Sequence, residues 1–163
     1  MSAPYLRPAV RALMIDPADR VLMIRLKFDD WTGWVLPGGG IEPGEDHSTA
    51  LRRELAEETG VPETFIGPQV WLRRHLSPHV ASAYDGQEEA VYLVPCNSFD
   101  VAPSMTPEEL RSEGIVEHRW WSVSEMANTD DVLRPPGLHE HVGRILEFGA
   151  PAEPMLLEEG PES

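Results

Sequence analysis

The chain has 163 residues and a formal net charge of −15, with 41% hydrophobic and 25% charged residues. That length suits one domain with a real core and is short for two, and the composition is that of a soluble globular protein. The 28 acidic against 13 basic residues argue against non-specific attachment to DNA, RNA or anionic membranes, which needs a basic surface.

Cys96 is the only cysteine, so no internal disulfide can form, which fits a reducing compartment. Residues 1–8 carry no apolar stretch of signal-peptide length, and no window approaches the ~18 apolar residues of a membrane span. The expected location is cytoplasmic.

Two apolar runs, Ala9 to Ile15 and Val21 to Leu26, flank the turn residues Asp16-Pro17-Ala18-Asp19-Arg20 and predict a β-hairpin. Trp31 to Gly40 reads as a Gly-rich loop. Asp46 to Thr59 reads as a helix stopped by Gly60 and Pro62. Strands are expected at Val70 to His75 and Ala90 to Cys96. A short helix with Thr106 as N-cap and Pro107 at its first position follows. Next come a strand over His118 to Ser122, a short helix over Ser124 to Ala127, and an amphipathic helix over Leu138 to Phe148. The apolar side of that last helix is Leu138, Val142, Ile145, Leu146 and Phe148. Strands and helices mix without regular βαβ alternation, which points to an α+β or layered α/β/α domain. The domain is expected to span residues 1–149. Residues 150–163 hold three prolines, four glutamates and no basic residue, and read as a disordered acidic tail. The alternative is that Met155-Leu156-Leu157 docks on the body or on a second subunit.

Gly39 to Val61, GGIEPGEDHSTALRRELAEETGV, carries the chemistry. Gly38 to Gly40 can bring backbone close to a ligand or aim a carbonyl at a metal. In the helix that follows, spacings of three and four residues place Glu54, Glu57 and Glu58 on one face. Such crowding destabilises a bare helix. Ion pairs to Arg52 and Arg53 would offset it, and so would a hard divalent cation. A solvated acidic face is the simpler account of Glu-x-x-Glu-Glu alone. It fits less well with the glycine loop, Glu45 and Arg53 at fixed offsets.

Gly39, Glu45, Arg53-Glu54-Leu55, Glu57-Glu58 and Gly60-Val61 together resemble the full signature of the Nudix hydrolases, with every defining position matched. The lead-in Trp34-Val35-Leu36-Pro37-Gly38 is similar to that family's as well. The resemblance implies a mixed β-sheet sandwiched between helices and hydrolysis of a nucleoside diphosphate linked to another group. It implies Mg²⁺ or Mn²⁺ held by Glu54, Glu57, Glu58 and the Gly38 carbonyl, with Arg53 orienting a glutamate and Glu45 supporting helix and loop. Gly39 and Gly60 support the site. Metal ions would neutralise the phosphates and activate a water, and a carboxylate would take its proton. Glu54 is the first candidate base. Glu113 and Glu117 are alternatives from a downstream loop, each weighed against a plain surface charge. The family also suggests a homodimer by analogy.

One of Glu88 and Glu89 can face the helix carboxylates, because adjacent strand residues point opposite ways, and strand phase favours Glu88 as a further metal ligand. Phe28 and Trp31 are candidates for a wall that stacks on a base, and Arg25 for a phosphate contact. Trp34 and one of Trp120 and Trp121 are expected in the core. His75 and His79 read as surface or loop residues, and Cys96 as a buried, inert thiol.

The leading function is a metal-dependent pyrophosphohydrolase of a small nucleotide or nucleoside-diphosphate conjugate. A non-catalytic Nudix-fold nucleotide-binding or regulatory module is the alternative, although such proteins usually have a damaged signature. An acidic interaction module acting through the tail rests on composition alone. No clear subclass motif is present. Pro78 lies near the position where ADP-ribose hydrolases often carry proline, which is weak support.

Overall fold

The computed structural model describes residues 2–76 and 83–161. Eight strands form one mixed sheet. They are β1 (Leu6–Ile15), β2 (Val21–Phe28), β3 (Trp31–Val35), β4 (Gly38–Gly40), β5 (Gln69–Leu76), β6 (Gly86–Pro95), β7 (Ile115–Trp121) and β8 (Met155–Pro161). The order is β3-β2-β1-β6-β5-β8, with β4 on β1 and β7 on β2. The β1–β6 and β5–β8 pairs are parallel, and the other pairs are antiparallel.

Strand alternation sends successive side chains to opposite faces and builds two cores. Val10, Ala12, Met14, Leu22, Ala90 and Val94 pack with Ala50, Leu51 and Leu55 of α1 (His47–Glu58). Beyond α1, a short α2 (Pro107–Ser112) precedes β7. On the other face, Leu13, Met23, Trp71, Val91 and Trp121 pack with Met126 of α3 (Val123–Asn128) and with Leu138, Val142 and Ile145 of α4 (Leu138–Phe148). The sheet is therefore sandwiched between helices, as expected. Trp34 and Trp121, both expected in the core, meet there edge to face at 5.2 Å, and Trp71 is buried in the same core. The apolar side of α4 is narrower than predicted, since Leu146 and Phe148 are exposed.

The hairpin contact of β1 and β2 is confined to Ile15 opposite Val21. Beyond it the strands diverge, and β4 inserts against β1 with Arg11 opposite Gly38 and Ala9 opposite Gly40. Most of the predicted Gly-rich loop is thus two strands, β3 and β4. The divergence opens the cleft described below.

The tail expected to be disordered from residue 150 is instead partly a sheet strand. β8 lies parallel to β5, with Trp71 opposite Met155 and Arg73 opposite Leu157. Met155 and Leu157 pack on the core, and Glu158 and Glu159 pair with Arg74 and Arg73. Acidity argues for disorder only when the neighbouring charge is like, and here β5 supplies arginines. Arg73 is buried and held bidentately by Glu159, at 2.6 Å from Nε and 2.8 Å from Nη2. Glu159→Ala is expected to cost about 2–3 kcal/mol, because it leaves a buried guanidinium half-paired. Thermal unfolding would read this as a fall of roughly 5–10 °C. An unchanged melting temperature would mean that the Arg73–Glu159 pair contributes nothing to stability.

Among the described residues, no helix is long and apolar enough to cross a membrane.

Candidate active site

α1 begins where Asp46 caps it, its side chain accepting the Thr49 N–H at 2.8 Å. It ends at Thr59, and Gly60 follows at φ 68° with its N–H on the Leu55 carbonyl. A side chain at Gly60 would be strained at that φ and would also strike the Ala102 carbonyl. His118 on β7 holds the same helix end, with Nε2 2.6 Å from the Glu58 backbone oxygen. These constraints fix the face that carries Glu54, Glu57 and Glu58.

Arg53 organises that face. Its Nε and Nη2 donate to the two oxygens of Glu45 at 2.8 Å each, its Nη1 to Glu54 at 2.9 Å, and its Nη2 to the Gly40 carbonyl at 3.1 Å. The guanidinium and a backbone N–H hold Glu45 down to about 2, and the same carboxylates raise Arg53. Arg52 turns away and donates to the Thr64 carbonyl. Gly39 has no side chain for a direct reason: a Cβ there would sit 2.7 Å from the Glu54 carboxyl carbon.

Glu58 accepts the Gly38 N–H at 2.8 Å. Burial, with the nearby charges of Glu54 and Glu113, pushes its pKa up to about 8 against the opposing pull of Arg11 and the Gly38 amide. Glu57 is raised by burial and by Glu54. The donors on this wall are all carboxylate or carbonyl oxygens, the set preferred by a hard divalent cation. Glu57 and Glu58, pushed toward neutrality by burial and by the charge of Glu54, would be relieved by a cation, so the residues fit such an ion. Among the described residues, no three His, Cys, Asp or Glu side chains already enclose one. The Gly38 carbonyl, an expected ligand, accepts from Arg11 Nη1 at 3.0 Å and keeps a second lone pair.

The cleft measures about 450 Å³ and is lined on one wall by Glu54, Glu57, Glu58 and Glu113. Five of the chain's 13 basic residues, Arg7, Arg11, Arg53, Arg73 and Arg134, also line it. Phe28 and Trp31 line it, with Arg134 6.0 Å from the Trp31 ring centroid. Two predicted members lie elsewhere. Arg25 alternates to the other side of β2, away from Ile24, Leu26 and Phe28, and pairs with Glu117 at 3.4 Å. Glu88 faces away from the cleft and pairs with Arg74 at 2.7 Å, while Glu89 points in. The strand phase is thus the inverse of the one expected.

Glu89, the alternative that strand phase set below Glu88, is the residue of the pair that lines the cleft. It is 3% exposed and bridges Arg11 Nε at 2.6 Å and Arg73 Nη1 at 2.9 Å. Burial alone would raise its pKa, yet Arg11, His75 and Arg73 hold it well below the usual carboxylate range. Arg11, which sequence reasoning misses, ties Glu89 to the carbonyls of Leu36 and Gly38. A charge interrupting the apolar run Ala9 to Ile15 is the available signal. His75 is a correction: it is buried on β5 rather than at the surface. Pro78 and His79 lie outside the described residues. Burial and Asp16 push the half-buried Cys96 thiol up to about 11, consistent with an inert group.

A layered sheet with a capped acidic helix at a glycine strand is a Nudix-type architecture. The NUDIX domain model matches residues 5–141, and the chain belongs to that family. It is 36% identical over 100 residues to an RNA pyrophosphohydrolase of Dinoroseobacter shibae, covering 56% of this chain and 62% of that protein. The chain thus spans about three-fifths of that relative's length. An RNA pyrophosphohydrolase of Caulobacter vibrioides is 27% identical over 169 residues, covering 96% of this chain and 95% of that one. The NUDIX domain of Shewanella oneidensis NrtR, solved with ADP ribose, superposes with a TM-score of 0.64 at 18% identity, covering 90% of each chain. That likeness speaks to the fold alone.

Proposed function

We propose that this chain is a divalent-metal-dependent pyrophosphohydrolase acting on a nucleoside diphosphate linked to another group. The observation that carries the reading is the two-signed cleft, with Glu54, Glu57 and Glu58 on one wall and arginines on the others. A pyrophosphate group needs both, cations to screen its oxygens and a base to make the nucleophile.

In this reading Glu54, Glu57, Glu58 and the Gly38 carbonyl hold Mg²⁺ or Mn²⁺, which supplies charge neutralisation and water activation when bound. Arg53 fixes the direction of Glu54. Glu54 accepts the proton of the attacking water, and Glu113, which also lines the cleft, is the second candidate for that role. Phe28 and Trp31 offer aromatic surface to a base. The single Cys96 thiol fits a cytoplasmic setting.

A second substrate class, an RNA 5′ end, is favoured by the relatives named RNA pyrophosphohydrolase. The net charge still opposes broad nucleic-acid binding, so contact would be confined to the arginine-lined cleft. The test is to incubate the protein with Mg²⁺ or Mn²⁺ and separate the products by chromatography. The panel holds nucleoside triphosphates, ADP-ribose, dinucleoside polyphosphates and a 5′-triphosphorylated oligoribonucleotide. Turnover of at least one compound, abolished by EDTA, is expected. No turnover of any would sink the hydrolase reading and leave a nucleotide-binding module.

A further inference from the structure

The last carbonyls of a helix find no partner within it and must be met from outside. In α1 the Leu55 carbonyl is the last to be met locally, by the N–H groups of Thr59 and Gly60. The carbonyls of Ala56, Glu57, Glu58 and Thr59 follow it. Three of these accept from the backbone of a single segment: Ser104 donates to Ala56 at 3.1 Å, Met105 to Glu57 at 3.2 Å and Ala102 to Thr59 at 2.9 Å. The Glu58 carbonyl is met differently. A continuing helix would offer it the N–H of position 62, but Pro62 has none. Its partner is a side chain, with His118 Nε2 at 2.6 Å. A carbonyl only accepts, so that nitrogen carries the proton.

Glu58 is therefore held at both ends. Its carboxylate accepts the Gly38 N–H of β4 at 2.8 Å, and its backbone is tied to β7. β4 pairs with β1 and β7 pairs with β2, so the two ties reach across the divergence that opens the cleft. His118 lies opposite Ile24, itself a lining residue of the cleft. The tie also has an electrostatic effect. The free carbonyls at a helix C-terminus carry roughly half a negative charge, and here they stand beside the carboxylates of Glu57 and Glu58. A donor on the Glu58 carbonyl offsets part of that crowding.

We propose that His118 is a positioning residue for the carboxylate wall. By anchoring the Glu58 backbone to β7, it sets the angle at which Glu57 and Glu58 offer oxygens to a divalent cation. This rests on the metal-dependent reading and adds to it a residue outside both the acidic helix and the glycine strand. Groups that orient metal ligands without touching the ion typically account for about 10- to 100-fold in metal affinity. A merely structural hydrogen bond would change stability and leave that affinity alone.

Mn²⁺ binding to the full chain, followed by the electron paramagnetic resonance of the free ion, tests this without turnover. His118→Phe keeps a ring and loses the donor, whereas His118→Gln keeps an N–H at about the reach of Nε2. The Phe variant is expected to bind Mn²⁺ about tenfold or more weakly, and the Gln variant to stay within about threefold of the wild type. Arg20→Ala serves as the comparison. It removes the 2.9 Å bond to buried Asp16 in the β1–β2 turn, away from the cleft, and is expected to melt lower in EDTA yet bind Mn²⁺ as the wild type does. Unaltered affinity in His118→Phe, equal losses in the Phe and Gln variants, or a matching loss in Arg20→Ala would overturn the proposal. If the wild type binds Mn²⁺ and His118→Phe binds it equally well, only the role of His118 falls. If the wild type binds none, the metal-dependent reading falls and takes this role with it.

Discussion

Glu57→Gln is expected to lower metal-dependent hydrolysis roughly 100-fold or more while leaving the folded state intact. The two effects separate because of where Glu57 sits. Its side chain is 38% exposed, and its ion pair is to Arg53 at 3.5 Å. Arg53 keeps its shorter bonds to Glu45 and Glu54 in the variant, so the wall it organises remains in place. A substitution at such a position changes stability by about 0.5 kcal/mol or less. What the amide removes is an anionic oxygen donor at the centre of the carboxylate face. Steady-state rates at saturating Mg²⁺ together with a thermal melt test this. Full activity would remove Glu57 from the metal set, and a large fall in melting temperature would mean that the loss of activity reports unfolding.

The second expectation concerns pH in the metal-free protein. Glu58 has a folded pKa of about 8 against an ordinary value of 4.5, so it binds its proton more tightly folded than unfolded. Its stabilising contribution is complete below about pH 4.5 and is lost as pH rises to about 8. The loss is on the order of 4–5 kcal/mol, since between three and four tenfold steps in proton affinity separate the folded and unfolded chain and each is worth about 1.4 kcal/mol. Glu45 and Glu89 move in the opposite direction. Their contributions are complete above the ordinary carboxylate range and fade only in acid, outside this window. His118 and His141, lowered by burial, favour the folded state as pH rises past 6.5, and they are present in both proteins to be compared. Urea unfolding of wild type and Glu58→Gln in EDTA at pH 5 to 8 isolates the contribution of Glu58. The wild type should lose stability relative to the variant as pH rises. Added Mg²⁺ should stabilise the wild type more at pH 8 than at pH 5, because binding requires the ionised carboxylate. A constant difference between the two proteins would show that Glu58 is ionised throughout.

The acidic face of α1 is legible in the sequence because helical spacing is local: residues three and four apart must meet whatever the rest of the chain does. The caps are legible for the same reason, as Asp46 and Thr106 act within three residues of themselves. The other walls of the cleft depend on register between distant segments. Nothing within residues 5–11 or 70–76 indicates that Arg7, Gln87 and His75 share a row, since Arg7 and Gln87 meet only through the pairing of strands some 80 residues apart. The phase error at Glu88 has a related cause. β6 is buried on both faces over much of its length, and the run Ala90 to Val94 carries no alternation from which to read phase. The tail misleads because Glu158 and Glu159 look like charges without partners. Their partners lie on β5, with Arg73 86 residues before Glu159.

The seating of β8 also covers a sheet edge. Without it, β5 would be the outermost strand on its side of the sheet and would offer Trp71, Leu72 and Arg73 with an open row of backbone donors and acceptors. With it, the outermost strand carries Glu158 and Glu159, a poor template for another sheet. Clipping of the chain just before Met155 is therefore expected to show first as self-association through the bared edge, ahead of any loss of the acidic helix α1.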